Sequence, residues 1–208
     1  METLLQSPVT LALLAVNIIL STIALGNAEV MDKLIFHVAR VRYNKEWYRV
    51  ISSAFIHGGP MHLFLNIYAL YLFGPAFEQG LGTLPFIVLY FGSLLGSGAL
   101  ECLEHFRQPH FRSLGASGAL SGLTLAFAMF APMAQFSLFF MFPMPAFVFA
   151  ICYILISAWA STTGSLPGIG HTGHLGGALA GVAIVCIWWP HVPQQMIDQI
   201  VAGTRGFF

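Results

Sequence analysis

Residues 115–130 read GASGALSGLTLAFAMF, a serine among small residues followed by an apolar run. They lie inside a much longer uncharged stretch, because the 85 positions between Arg112 and Asp198 contain no Asp, Glu, Lys or Arg. Charged residues make up 8% of the 208-residue chain, against about 25% in a typical soluble domain. We therefore expect an integral membrane protein that lies mostly inside the bilayer.

Composition and charge exclude several classes of protein. Apolar residues make up 57% of the chain and the mean hydropathy is +0.79, which excludes a water-soluble domain and a disordered chain. The composition also excludes a nucleic-acid-binding protein, which would need a basic face. The net charge is zero and indicates nothing about partners. The cysteines have neither the pattern of a disulfide framework nor the spacing of metal ligands; they are Cys102, Cys152 and Cys186.

Turn-forming residues divide the apolar sequence into six predicted membrane spans. A helix that crosses the hydrocarbon core needs about 20 apolar residues, with about 17 as a lower limit, and Gly and Pro clusters mark where such helices end. The predicted spans are 9–25, 60–77, 84–102, 115–131, 146–162 and 171–189. The apolar segment 131–145 contains three prolines, which favour a hydrophobic loop over a seventh span.

The loop 28–50 differs from the rest because it holds five of the eight basic residues. Its apolar residues Met31, Leu34, Ile35 and Val38 follow helical spacing. This pattern predicts a helical loop that lies in the membrane interface. The alternative is a solvated connecting loop.

Polar residues occur at one end of three predicted spans. His62 and Asn66 are four residues apart, and therefore share a face of the second span. Ser117 opens the fourth span and His174 lies near the start of the sixth. All three span ends belong to the same face of the membrane, so these side chains can meet in one pocket. Polar groups within the membrane are candidates for function.

Small residues predict that the fourth and sixth spans pack closely. A small residue at every fourth position lets two helix backbones approach. On its own this pattern usually reflects packing alone, but here it accompanies Ser117 and His174, which need such an approach to reach hydrogen-bond distance. The small residues are Gly118 and Gly122 on the fourth span, and Gly173, Gly177 and Gly181 on the sixth.

The polar residues are the types that acyl transfer requires. A serine becomes a strong nucleophile when a neighbouring base removes its proton, and histidine is the commonest base. Ser117 lies at a helix start, where free backbone N–H groups favour an oxyanion, and His62 and Asn66 can add side-chain donors. We expect no Asp or Glu at this depth, so the pair would be a Ser–His dyad.

Five motifs follow one another along the chain: Trp47-Tyr48-Arg49, His62-x-x-x-Asn66, Gly74-x-x-x-Glu78-x-x-x-Gly82, Gly115-x-Ser117-Gly118 and His174-x-x-Gly177-x-x-x-Gly181. In this order, over residues 46–182, they resemble the rhomboid family of intramembrane serine proteases. The resemblance implies an all-α, six-span membrane bundle with an interfacial first loop. It also implies one domain over 1–208, with a core at about 46–190 and a short tail at 191–208.

The resemblance also implies roles for the site residues. Ser117 would be the nucleophile, His174 the general base, and His62 with Asn66 the side-chain part of the oxyanion hole. The substrates would be transmembrane segments of other membrane proteins, within membrane lipid and with no metal, cofactor or nucleic acid. The residues that pack around the site would be Gly115, Gly118, Gly122, Gly177 and Gly181.

Ser121 departs from the family, which often has a large side chain one turn after the nucleophile, in some members an aromatic ring beneath the catalytic histidine. We expect Ser121 to bond His174 or a water instead. We also expect substrates to enter laterally, past the fifth span and beneath the loop 163–170.

Charge and family resemblance disagree on orientation. The face that carries the loop 28–50 holds seven of the eight basic residues, which by the positive-inside rule would make it cytoplasmic. The family places its active site on the extracytoplasmic face, and we follow the family and expect the inner membrane of a bacterium.

Two alternatives belong to other classes. A catalytically inactive rhomboid-like protein would bind membrane clients, although such relatives typically lack the serine or the histidine. A metal-dependent membrane protease or transporter would use His57, His62, His171 and His174, although no HExxH motif is present.

Overall fold

The computed structural model describes residues 2–138, 142–163 and 170–204. The short helices are α1 (Glu2–Leu5), α3 (Ala28–Leu34), α4 (Val38–Tyr43), α5 (Arg49–Ser52) and the 3-10 turn Ser53–Phe55. The longer ones are α2 (Pro8–Gly26), α6 (Pro60–Leu81), α7 (Thr83–Glu104), α8 (Ser117–Phe130), α9 (Ala146–Thr163), α10 (His171–Trp188) and α11 (Val192–Thr204). Two antiparallel strand pairs join β1 (Phe36–His37) to β2 (Arg112–Ser113) and β3 (Gln135–Leu138) to β4 (Phe142–Pro145).

Helices occupy all six predicted span positions, which confirms an all-α polytopic bundle. Pro8 and Pro60 open α2 and α6, where a missing N–H costs nothing. Of the described helices, four are long and apolar enough to cross a membrane: α2, α7, α9 and α10. The helix α8 has 14 residues, and the polar residues of α6 lower its mean hydropathy, so the count of six crossings stays a prediction.

Regular structure is present in the predicted loop 131–145 and in the predicted tail 191–208. The segment 131–145 holds the hairpin β3–β4, whose register pairs Gln135 with Pro145 and Leu138 with Phe142; residues 139–141 lie outside the described residues. The predicted tail 191–208 contains α11, which extends to Thr204, and its residues Val192 and Met196, one turn apart, pack against the core. Both segments are therefore packed elements of the fold.

The first loop contains the short helices α3, α4 and α5, and the helical spacing from Met31 to Val38 is interrupted between α3 and α4. The helix α3 ends at Leu34, and Ile35 is extended so that β1 can pair with β2. The buried guanidinium of Arg49 explains the break, since its Nη1 donates to the carbonyl oxygens of Asp32 at 2.7 Å and Ile35 at 2.9 Å. In the same loop Phe36, Val38 and Val41 form a small buried apolar cluster.

Acidic residues in this loop pair with basic ones. Asp32 lies 2.8 Å from Arg40 and 3.4 Å from Arg112, the latter on β2. Glu46 lies 2.5 Å from Arg49, and this bond lowers the pKa of Glu46. The loop is therefore joined to the segment before α8 by the β1–β2 backbone pairing and by one ion pair, Asp32–Arg112.

A buried carboxylate ties the first long helix to α6. Glu78 accepts hydrogen bonds from the backbone N–H groups of Val9 at 3.0 Å and Thr10 at 2.8 Å, and from the Thr10 hydroxyl at 2.8 Å. A carboxylate at a helix N-terminus satisfies unpaired donors and meets the positive end of the helix dipole. A methyl group at Gly74 would lie 2.5 Å from Thr10 Cγ2, so the glycine makes room for this contact.

Backbone contacts hold α7, α8 and α10 together. A methyl group on Gly177 would overlap the carbonyl oxygen of Gly118, and one on Gly181 would lie 2.6 Å from Gly122 Cα. On the other side of α10, a methyl group on Gly176 would lie 2.6 Å from the Gly96 carbonyl oxygen of α7. Only glycine permits this spacing, and the seam between α8 and α10 sets the relative position of the residues at their N-termini.

Candidate active site

Ser117 and His174 meet across the α8–α10 seam. Ser117 is the first residue of α8, and His174 lies in the first turn of α10. The His174 Nε2 atom is 2.8 Å from Ser117 Oγ. When the hydroxyl donates, Nε2 is the unprotonated nitrogen and Nδ1 carries the hydrogen. This distance is the one that proton transfer from a nucleophile to a base requires.

Gly115 shapes the turn that presents Ser117. Its φ angle is +108°, a backbone conformation that residues other than glycine rarely adopt. Its N–H donates to the Ser53 carbonyl oxygen at 2.9 Å. A methyl group at this position would lie 2.8 Å from the His62 ring. The glycine therefore allows the chain to turn into α8 directly beside the ring of His62.

His62 and Asn66 share a cavity of about 980 Å³ with Ser117 and His174. The structure thus brings together the four residues that the sequence singled out from three spans. The Asn66 amide donates to the His62 carbonyl oxygen at 2.8 Å, within its own helix. Its Oδ1 atom is buried and makes no hydrogen bond among the described residues. One N–H of the amide stays available for another acceptor.

Ser121 does not bond His174 as the sequence suggested. Its hydroxyl donates to the Ser117 carbonyl oxygen at 2.6 Å and lies 2.5 Å from the Tyr153 hydroxyl. The aromatic ring beside His174 comes from α9, because Tyr153 stacks on the imidazole with centroids 6.1 Å apart. Sequence reasoning missed Tyr153, although the small residue at position 121 signals space that a neighbouring helix must fill.

Glu101 corrects the expectation that no acid lies near the site. It lines the cavity at the end of α7 and is only 6% exposed. Its carboxylate accepts a hydrogen bond from the Ser113 hydroxyl at 2.6 Å. A methyl group on Gly173 would lie 2.6 Å from Glu101 Oε1, so this carboxylate faces the start of α10. The described contacts of Glu101 support that helix start and β2, and none of them orients His174.

His57 lies behind the site as a buried link between elements. Its Nδ1 atom is 2.8 Å from Ser21 Oγ on α2, and its Nε2 accepts from the Ala116 N–H at 3.4 Å. Burial, with the neighbouring ring of His62, lowers the pKa of His57 to about 4. The ring is therefore neutral, as an acceptor of the Ala116 N–H must be.

The four histidines do not form a metal cluster. Within residues 2–138, 142–163 and 170–204, no group of three or more His, Cys, Asp or Glu side chains is arranged to hold a metal ion. His171 is buried at the start of α10, with its ring centroid 6.0 Å from that of His174. The predicted entry route beneath the loop 163–170 falls on residues 164–169, which lie outside the described residues.

Comparisons with known proteins agree on one family. Residues 44–191 match the family model described as the Rhomboid domain. The chain is 34% identical over 164 residues to Rhomboid protein 1, mitochondrial, of Saccharomyces cerevisiae, which covers 76% of this chain and 46% of that protein. It is 38% identical over 81 residues to Putative rhomboid protease YdcA of Bacillus subtilis, and this match covers 38% of this chain and 39% of that protein. The chain thus spans less than half the length of these two curated relatives.

Proposed function

The chain belongs to the rhomboid family, and from this premise we propose that it is an intramembrane serine endopeptidase with a Ser117–His174 dyad. The observation that carries the proposal is the 2.8 Å contact between Ser117 Oγ and His174 Nε2, inside a cavity among apolar helices. The protein is an integral, multi-pass membrane protein. A relative from Toxoplasma gondii, 30% identical over 149 residues, is described as Rhomboid-like protease 3.

The geometry supports a two-step acyl transfer. The Ser117 hydroxyl proton moves to His174 Nε2 as Oγ attacks the carbonyl carbon of the scissile peptide bond. The protonated His174 then gives its proton to the leaving amine, and an acyl ester remains on Ser117. A water molecule hydrolyses this ester, with His174 again accepting and returning the proton.

The proposed oxyanion hole has three donors. The backbone N–H of Ser117 belongs to the first turn of α8, where helix N–H groups have no partner within the helix. His62 and Asn66 line the same cavity. Losing one oxyanion donor typically raises the barrier by about 2.7–4 kcal/mol, so their removal weakens catalysis without removing the nucleophile.

The proposed substrates are transmembrane segments that reach the cavity from the lipid. The helix α9 is the least buried of the four candidate spans. Of the residues in its 18-residue apolar stretch 22% are buried, against 44% in the corresponding stretch of α10. A weakly buried helix beside the site suits lateral entry of a substrate helix. Membrane lipid is therefore the second partner of the protein.

We place the active site on the extracytoplasmic face of a bacterial inner membrane. Because Asp32 pairs with Arg40 and Arg112, part of the positive charge on this face is neutralised within the fold. Alkaline phosphatase fused after residue 50 should be active in a bacterial host, and the same enzyme fused at the carboxyl terminus should be inactive. The reverse pattern would place the basic face in the cytoplasm.

A mutation series tests the dyad. Ser117→Ala and His174→Ala should each abolish cleavage of a transmembrane substrate by the purified protein in vesicles, and the double variant should be no worse, because the two residues act as a unit. His62→Ala and Asn66→Ala should each retain part of the activity. Thr22→Ala, an exposed change on α2, is the control.

Two further measurements separate the alternatives. A fluorophosphonate probe should label the wild-type protein and not Ser117→Ala, and a metal chelator should change neither labelling nor cleavage. A client-binding relative without activity would give no labelling and no cleavage in the wild type. Cleavage by Ser117→Ala at the wild-type rate would show that the dyad is wrong.

A further inference from the structure

We propose that Tyr153 of α9 is a positioning residue for His174, an inference that rests on the proposed dyad. The two rings are nearly parallel, with planes inclined by 23° and centroids 6.1 Å apart. This is the offset stacking that aromatic rings favour. A flat ring against one face of the imidazole limits its rotation, and so keeps Nε2 directed at Ser117 Oγ.

The Tyr153 hydroxyl fixes the place of this ring. It lies 2.5 Å from Ser121 Oγ, which itself donates to the Ser117 carbonyl oxygen at 2.6 Å. The Tyr153 hydroxyl is therefore the donor in its contact with Ser121. Through these bonds Tyr153 is tied to the first turn of α8, while its face rests on His174. One side chain thus connects both members of the dyad from a third helix.

A column of rings supports Tyr153 from behind. Phe149, one turn earlier on α9, stacks on Tyr153 with centroids 6.1 Å apart and planes inclined by 24°. Phe136 of β3 stacks on Phe149 at 5.1 Å and 12°, and Phe73 of α6 on Phe136 at 5.6 Å and 28°. The column connects the hairpin and α6 to the imidazole, so the position of the Tyr153 ring does not depend on a single contact.

The small side chain of Ser121 explains why the ring comes from α9. Ser121 is 2% exposed and lies one turn beyond Ser117 on the side of α8 that faces α9. Its size leaves space that the Tyr153 ring occupies. Because α9 is weakly buried, the orientation of His174 depends on where α9 stands, and a displaced α9 takes the ring away from the imidazole.

The test compares two ways of altering Tyr153. Tyr153→Leu removes the ring, Tyr153→Phe removes only the hydroxyl, and Trp159→Leu, on the same helix and 55% exposed, is the matched control. Two rates are measured on the purified protein: labelling of Ser117 by a fluorophosphonate, and cleavage of a transmembrane substrate. Labelling does not require a substrate helix to enter, so it reports on the dyad alone.

We expect Tyr153→Leu to lower both the labelling rate and kcat about tenfold, with KM changed less than about twofold. Tyr153→Phe should keep both rates within about threefold of the wild type, since the ring remains. Trp159→Leu should match the wild type. This split between kcat and KM, with recovery by the conservative variant, is not expected of a residue that only stabilises the fold.

Several outcomes would overturn the inference. A Tyr153→Leu protein with the wild-type melting temperature that labels at the wild-type rate would do so, as would a rise in KM at unchanged kcat. If Tyr153→Leu does not fold, Tyr153→Met, which restores volume without a flat ring, is judged by the same criteria. Ser117→Ala separates this inference from the proposed function: if that variant still cleaves, the dyad itself fails. If it is inert while folded Tyr153 variants match the wild type, only the role of Tyr153 fails.

Discussion

Two of the contacts that hold α10 beside the site are built from opposite kinds of residue. Against α8, the helix presents Gly177 and Gly181, and backbone rests on backbone with no room for a methyl group. Against α9, it presents His174, which rests on the aromatic ring of Tyr153. The first contact places the proposed base at the correct depth and distance, and the second sets how its ring is turned.

The two contacts should respond differently to change. Backbone atoms have no rotamers, so a group inserted between α8 and α10 must separate the helices or distort them. Rings can tilt and slide, and the loss of one leaves a space that its neighbours partly fill. The seam should therefore fail completely when it is altered, whereas the ring column should weaken gradually.

The largest effect is expected in the seam. Gly177→Val would force a branched side chain into the Gly118 carbonyl oxygen, and we expect it to abolish cleavage and Ser117 labelling. Overpacking a core typically costs about 1–3 kcal/mol, and contact with backbone atoms places this variant at or above the upper end. Thermal unfolding of the purified protein measures the stability loss.

The matched control is Gly80→Val, since a methyl group at Gly80 of α6 meets nothing within 4 Å. It should lose only what a β-branched residue costs in a helix and should remain active. Wild-type labelling by Gly177→Val would mean that the helices separate without moving Ser117 from His174, and would contradict the rigid seam.

An intermediate effect is expected in the column. Phe149→Leu leaves Tyr153 in place but removes the ring behind it, so we expect the labelling rate to fall about threefold, less than the tenfold expected for Tyr153→Leu. The labelling rate is compared with that of Trp159→Leu. A loss as complete as that of Gly177→Val would erase the difference between the two contacts.

The smallest effect concerns pH. The glycine contacts of the seam, at Gly177 and Gly181, involve backbone atoms only, so they do not respond to acid. For the acid sensitivity of folding His57 is a candidate, because its folded pKa of about 4 lies below its ordinary value of 6.5. Between pH 6.5 and about pH 4, the His57 ring is protonated in the unfolded chain but neutral in the folded protein. The free energy of unfolding therefore decreases as the pH falls through this range.

His57→Gln should remove this component. Between pH 7.5 and pH 5 its melting temperature should fall by about 2–4 °C less than that of the wild type. His37→Gln provides a comparison, because burial and nearby arginines, foremost Arg112, also lower the pKa of His37. An identical fall in the wild type and His57→Gln would show that His57 contributes nothing.

Sequence alone predicts the helices well, because their ends are marked locally. Pro8, Pro60 and Gly26 lie where helices begin or end, and a breaker acts whatever surrounds it. The glycine seam is also visible, since its spacing repeats along one helix face. The contact between Ser117 and His174 could also be anticipated, because both residues lie near the ends of their predicted spans on the same side of the membrane.

Contacts set by several elements at once could not be predicted. The helix α3 ends early because Arg49, 17 residues away from Asp32, takes backbone carbonyl oxygens. Tyr153 lies beside His174 on the helix whose Phe149 stacks on Phe136 of the hairpin β3–β4, so three elements meet near this ring. Periodicity gives the faces of one helix, and does not tell which ring of a neighbour fills a gap such as that beside Ser121.

The length of α8 has a consequence for the depth at which the proposed protease would cut a substrate. Its 14 residues extend about 21 Å at 1.5 Å per residue, whereas the hydrocarbon core is about 30 Å thick. If the carboxyl end of α8 lies at one boundary, the serine at its other end lies about 9 Å below the opposite one. The length of α8 then determines the depth of Ser117 in the membrane, and with it the depth at which the substrate is cleaved. Lengthening a substrate segment on the near side should move the cleaved bond along its sequence while its depth stays constant.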